Sequence, residues 1–149
     1  MVTVKNILDK KGNKVFSISP DKTVFEALKM LADKDIGAVL VTQDDQMLGI
    51  FSERDYARKL ILKGFFSKDA KVSDVMTKAL TVVDPQTDIF ICMEIMTKKR
   101  FRHLPVVENG KLVGMVSIGD IVNAIINSQE DVIKSLESYI SGGGYGHSS

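Results

Sequence analysis

The chain has 149 residues, with 20 Lys and Arg against 19 Asp and Glu, and a formal net charge of +1. So balanced a charge excludes global steering toward DNA or RNA, and a composition that is 44% hydrophobic and 26% charged excludes a disordered chain. The one cysteine, Cys92, excludes a disulfide framework and a multi-cysteine zinc site.

The first residues, Met1-Val2-Thr3-Val4-Lys5-Asn6-Ile7, have no basic stretch leading into a long apolar run, which predicts no signal peptide. No apolar stretch approaches the roughly 18 residues of a membrane span. Together with the lone cysteine, this predicts a cytoplasmic protein in a reducing compartment. The first element is the apolar run Val15-Phe16-Ser17-Ile18, bounded by Pro20, a strand signal. Val24, Leu28 and Leu31 then recur at helical spacing. Two strands, 38–41 and 47–51, flank the polar turn Gln43-Asp44-Asp45, and a second helix is expected over 52–62. The linker 64–71 is short and polar, and 72–76 reads as a brief helical turn. The same series then recurs: strand 80–83 bounded by Pro85, a helix carrying Ile89, Met93 and Met96, strands 104–107 and 112–116, and a helix over 117–126. The turn between the second pair of strands is Glu108-Asn109-Gly110, and Asn-Gly is a strong hairpin signal. A separate terminal helix is expected over 129–140, with Val132, Ile133, Leu136 and Ile140 on one face, suited to docking on the core or on a second subunit. Residues 142–149 read as a flexible Gly/Ser tail.

The recurrence is a gapless repeat. Sliding the chain by 65 positions lays Pro20 on Pro85, Phe25 on Phe90, Val41 on Val106, Gly49 on Gly114, Ser52 on Ser117 and Asp55 on Asp120. The repeats span 15–61 and 80–126, each β-α-β-β-α, which makes the fold class α+β. Units of about 47 residues are too small to hold a core alone. They are expected to pack around a pseudo-two-fold axis. The expected division is 1–64 for the first repeat with its lead-in, 65–127 for the linker and second repeat, 128–141 for the terminal helix and 142–149 for the tail.

One motif is present twice, Gly49-Ile50-Phe51-Ser52-Glu53-Arg54-Asp55 and Gly114-Met115-Val116-Ser117-Ile118-Gly119-Asp120. In each, a strand ends and Ser-x-x-Asp opens a helix. One reading is a capping box, in which Ser and Asp satisfy each other's backbone N–H groups. The other is a nucleotide clasp. Free N–H groups at a helix start suit a phosphate, and an ionised carboxylate can accept both hydroxyls of a ribose.

With these motifs and the stretch Phe101-Arg102-His103-Leu104-Pro105-Val106-Val107, the chain resembles a tandem pair of CBS domains, or Bateman module, over residues 1–141. The segments 51–59 and 102–105 resemble stand-alone bacterial two-CBS proteins assigned to signal transduction. The resemblance implies that adenine nucleotides (AMP, ADP, ATP, S-adenosylmethionine or NAD(H)) bind in clefts between the repeats. It implies that Asp55 and Asp120 each take a ribose diol, with Ser52 and Ser117 at the phosphate or ribose edge. Ile36, Gly37 and Ala38, and Phe101, Arg102 and His103, would line the clefts in a crossed pattern, Asp120 with Ile36 and Gly37, Asp55 with Phe101 and Arg102. Lys14, Val15, Thr77 and Lys78 would add backbone hydrogen bonds to adenine. A homodimer formed through the helices and a separate effector protein are also implied.

Arg54 and Arg58 follow Ser52 on the same helix and suit either a diphosphate or pairing with Asp55 and Glu53. Gly119 stands where the first repeat has Arg54, so the two sites are expected to differ. Lys98, Lys99 and Arg100 read as a solvated helix C-terminus, and Cys92 as a small core residue. No Walker A, nucleophile elbow or zinc-protease motif is present, and one of the two histidines, His147, lies in the tail. The sequence therefore predicts a nucleotide sensor and no enzyme, with no metal, nucleic acid or membrane partner. The alternative is a dimeric adaptor in which the Ser-x-x-Asp boxes only cap helices.

Overall fold

The computed structural model describes residues 1–62, 68–78 and 80–141; residues 64–67 of the expected linker and the expected tail lie outside the described residues. In chain order the elements are α1 (Val4–Lys11), β1 (Ser17–Ile18), α2 (Val24–Lys34), β2 (Ala38–Gln43), β3 (Gln46–Ser52) and α3 (Glu53–Asp55). After α3 the helix continues in the wider π form over Tyr56–Ile61. The rest are α4 (Val72–Val75), α5 (Ile89–Lys99), β4 (His103–Glu108), β5 (Lys111–Ser117) and α6 (Ile118–Ser141).

Both hairpins form as the sequence predicts. Asp44 and Asp45 close the first and Asn109 and Gly110 the second, all at positive φ, as a two-residue turn matched to strand twist requires. Each hairpin carries an irregularity at the same repeat position, Val41/Thr42 and Val106/Val107. The leading strands are shorter than expected, and unequal. β1 pairs in parallel with β2, and Leu40 N–H donates to Phe16 O at 3.1 Å. The residue equivalent to Leu40 is Pro105, which has no N–H to donate. The expected strand 80–83 is accordingly reduced to a single bridge, Val83 to Val106.

The chain divides into two units, Lys14–Thr81 and Met1–Asn13 with Val82–Ser149. These compact units cut across the expected 1–64 and 65–127, because each takes in the lead-in that precedes the other repeat. Val4 N–H donates to Thr87 O at 2.9 Å, Lys5 N–H to Pro85 O at 2.8 Å and Ile89 N–H to Val2 O at 3.1 Å. Val4 and Ile7 are buried among Val83, Ile89, Cys92, Met96, Leu104, Val106, Val116 and Ile121. In the other unit, Val24 N–H donates to Ala70 O at 2.9 Å and Val72 N–H to Lys22 O at 2.8 Å. Val72 and Val75 are buried there among Val24, Ala27, Leu31, Val39, Val41, Phe51 and Leu60. The physical reason is burial: each short lead-in helix has two apolar residues that only a sheet-and-helix core can cover.

This exchange accounts for two glycines. A Cβ on Gly49 would lie 2.6 Å from the backbone O of Thr77, where Ile50 and Thr77 exchange hydrogen bonds of 3.0 and 2.8 Å. A Cβ on Gly114 would lie 2.8 Å from a Leu8 methyl. Backbone cannot yield as a flexible side chain can. Gly49→Ala should therefore cost about 2 kcal/mol, and Gly114→Ala about half as much. Urea denaturation of the two variants checks the order, and equal losses would refute it.

The expected break between helices at 127–128 is also absent. Asn127 and Ser128 are weak helix formers, but without Gly or Pro nothing there stops the helix, and α6 runs unbroken for 24 residues. Residues 129–140 of α6 are all exposed, so this segment does not dock on its own core.

Candidate functional site

Both Ser-x-x-Asp motifs form capping boxes. Ser52 is extended (φ −131°, ψ 164°) and ends β3. Asp55 N–H donates to Ser52 Oγ at 3.1 Å, and Ser52 N–H donates to Asp55 Oδ2 at 2.9 Å. In the second repeat Asp120 N–H donates to Ser117 Oγ at 3.1 Å, and Ser117 N–H donates to Asp120 Oδ2 at 2.8 Å. A third bond seals each helix start from the preceding strand. Glu53 N–H donates to Gly37 O at 3.2 Å, and Ile118 N–H donates to Arg102 O at 2.8 Å.

Each carboxylate also holds a lysine that the sequence reading passed over. Lys59 lies 3.0 Å from Asp55 Oδ1, one helical turn on. Thr77 Oγ1 donates to the same oxygen at 3.0 Å, and Lys59 Nζ donates to Thr77 Oγ1 at 3.2 Å and to Val75 O at 3.1 Å. Asp55 is buried, at 7% exposure, and both of its oxygens are bonded. Lys11, from α1, lies 2.8 Å from Asp120 Oδ2 and donates to Met115 O at 2.9 Å. Lys11 Nζ and Ser117 N–H both donate to Asp120 Oδ2, and the Asp120 side chain is 24% exposed. The i,i+4 spacing of Asp55 and Lys59 could have been read from the sequence. Lys11, 109 residues from Asp120, could not.

Open space adjoins the second site. A cavity of about 380 Å³ lies between α1 and α6, lined by Asn6, Lys10, Lys11, Asp120, Asn123 and Asn127 among others. That is within the range of small-molecule pockets. It puts the ammonium groups of Lys10 and Lys11 and three amides beside two carboxylates, Asp120 and Asp131.

The other predicted residues are distributed as follows. Ile36 and Phe101 pack partly against the cores of their own units. Gly37 is exposed, and Ala38 is buried opposite Ser52. His103 is half-buried opposite Ser117, and the Arg102 side chain is exposed. Lys14 Nζ sits 5.0 Å from the centre of the Phe16 ring. Val15 is half-buried, while Lys78 and Arg58 are exposed and Arg54 is half-buried. Lys59, which the sequence reading did not single out, is a cation on Asp55.

Burial pushes the Asp120 carboxyl up, but the Lys11 ammonium and the Ser117 N–H and hydroxyl outweigh it and hold it below its ordinary value of 3.8. A carboxyl lowered by folding stabilises the fold above its unfolded value, and that contribution is lost as pH falls through the folded one. Asp120→Asn should therefore melt below the parent at pH 7, and the gap should close below about pH 4. A gap unchanged down to pH 2 would exclude this ion pair as its source. The Cys92 thiol is pushed up to about 11, first by burial and then by the charges of Asp88 and Asp84. It stays protonated at neutral pH, which fits a core residue and not a nucleophile. Among the described residues no group of His, Cys, Asp and Glu is placed to hold a metal ion, and no helix is long and apolar enough to cross a membrane.

Two β-α-β-β-α repeats, each opening its last helix with a Ser-x-x-Asp box and each completed by the other's lead-in, define a tandem-repeat module of one fold. The chain belongs to the CBS domain family, which it matches over residues 1–62 and 72–127, and it is a CBS domain pair, a regulatory module. It is 36% identical to the mitochondrial CBS domain-containing protein CBSX3 of Arabidopsis thaliana, over 95% of this chain and 73% of that one. A CBS-domain protein from Burkholderia ambifaria MC40-6, assigned provisionally to signal transduction, is 42% identical with a TM-score of 0.83, over 86% of this chain and 96% of that one. The CBS domain pair of protein MJ0100 shares the fold at a TM-score of 0.74 and 20% identity, over 86% of this chain and 98% of that one; it was solved with 5′-methylthioadenosine and S-adenosyl-L-methionine.

Proposed function

We propose that this protein is an adenine-nucleotide sensor that binds AMP, ADP, ATP or NAD(H) and signals to a separate effector protein by a change of conformation. The observation that carries this reading is Asp120. Its carboxylate borders a cavity of about 380 Å³, is held ionised and has a side chain 24% exposed, so it can accept ribose hydroxyls beside its cap donors. Lys10 and Lys11 supply cations for phosphates, and Asn123 and Asn127 supply amides that pair with hydroxyls or a base edge. The adenosine ligands of the MJ0100 domain pair support the same ligand class. The protein acts by binding and not by catalysis: Ser52 Oγ and Ser117 Oγ are both committed to helix caps. No metal is needed for such a ligand set.

Ligand preference for one conformer would shift the population toward it and carry the signal. Phe25 of α2 and its repeat equivalent Phe90 of α5 are 46% and 52% exposed, and they support self-association through the repeat helices. The buried free thiol of Cys92 supports a reducing compartment such as the cytoplasm.

A thermal-shift panel of AMP, ADP, ATP, NAD, NADH, S-adenosylmethionine and GTP tests the reading. Stabilisation by adenine ligands and not by GTP is the expected result. The burial of Asp55 beneath its own unit's partners favours a second reading, a ligand-independent dimeric adaptor. A flat response across the panel would establish that one instead.

A further inference from the structure

The C-terminal half of α6 is apolar along one side yet touches no core. Val122, Ile126, Ile133, Leu136 and Ile140 are 39, 48, 52, 57 and 67% exposed, and Val132 and Tyr139 beside them are 54 and 62% exposed. Residues 129–140 form a continuous exposed stretch, and a helix segment that short is marginal in water without packing. We infer that this segment pairs side by side, in parallel, with the same segment of a second copy of the chain.

The spacing selects this partner. Residues 122, 126, 129, 133, 136 and 140 are separated by steps of four and three, the 3.5-residue period of a two-helix seam. In heptad terms Ile126, Ile133 and Ile140 occupy a, and Val122, Gln129 and Leu136 occupy d. Isoleucine at a with leucine at d favours two parallel strands, and one polar residue in the seam fixes register. In parallel pairing two Gln129 amides meet each other. Charge sets the direction. Glu130 and Glu137 occupy e, while Val132 and Tyr139 occupy g. Parallel helices set e against g, so glutamate faces no glutamate. Antiparallel helices set e against e, which brings like charges together. Two copies joined along this stripe need to bury about 1,200 Å² between them to reach the lower edge of stable interfaces.

The test uses the full chain. Cys92 is buried with a thiol pKa of about 11, so it leaves a quiet background for introduced cysteines. Leu136→Cys sits in the seam, and Ser138→Cys lies on the far side of the same helix turn. Under copper–phenanthroline oxidation, Leu136→Cys should form a disulfide dimer roughly ten-fold faster or more, because only its sulfurs come within bonding range. The parent should sediment as twice the 16.4 kDa chain. A monomer at about 100 µM, weaker than a dimer of this size should be, overturns the inference. So does equal cross-linking by the two variants. A dimer that cross-links at neither position removes this seam but leaves self-association through the repeat helices standing.

Discussion

Asp120→Ala should abolish the stabilisation by adenine nucleotides while leaving the chain folded. At ligand 100 times its Kd the parent gains about 2.7 kcal/mol, roughly 4 °C in Tm for a domain of this size. The variant should gain less than about 1 °C, measured against its own ligand-free baseline. Its intrinsic loss is limited to the cap and a partly exposed ion pair, about 1 kcal/mol. The two effects separate because one needs ligand and the other does not. The change leaves Lys11 in place, so the cavity keeps its cations and loses the carboxylate nearest them. Weak residual binding of ATP through phosphate alone would fit this account, since phosphate contacts survive without the carboxylate. Calorimetry showing parent affinity for AMP in Asp120→Ala would sink the ribose assignment and leave Asp120 as a cap.

The parts legible in the sequence are those encoded by local chemistry. The repeat fixes α2 against α5 and hairpin against hairpin, and the turns Asp44-Asp45 and Asn109-Gly110 lie where their residue types require. The Ser-x-x-Asp boxes were readable for the same reason: Ser52 and Asp55 meet within one helical turn. What escaped depends on contacts that sequence distance hides. The exchange of lead-ins arises because Val4 and Ile7 find their core past residue 82, and Val72 and Val75 find theirs before residue 62. Pro105 was visible, yet its consequence depended on knowing that Leu40 donates across a parallel pair. The asymmetry of the two sites was anticipated from Gly119 in place of Arg54. In the structure the carboxylates differ instead by cation and cover: Lys59 and Thr77 close over Asp55, whereas Asp120, paired with Lys11, keeps its side chain 24% exposed. The continuity of α6 went unread because Asn127-Ser128 looks like a boundary, though no physical stop is present there.

Asp55→Ala should be the most destabilising single change among the motif residues, at about 3 kcal/mol in urea denaturation. The carboxylate accepts from Ser52 N–H, Ser52 Oγ and Thr77 Oγ1, and all of these groups are partly buried. Removing it orphans donors that had a charged acceptor, and such bonds are the stronger class. Lys59 adds less, because at 37% exposure its ammonium can turn to water. Lys59→Met alone should therefore cost under about 1 kcal/mol. Combined with Asp55→Ala it should add almost nothing, because the pair term is already gone. The contrast with Asp120→Ala is the informative part, since the two residues are exact repeat equivalents with the same cap geometry. If Asp55→Ala costs no more than Asp120→Ala, burial at the first site has been overread. If it is as mild as that and also removes nucleotide binding, the first carboxylate serves a ligand and not the fold. The expected outcome assigns them different work: Asp55 ties α3 to the segment after α4, and Asp120 meets ligand at the cavity edge.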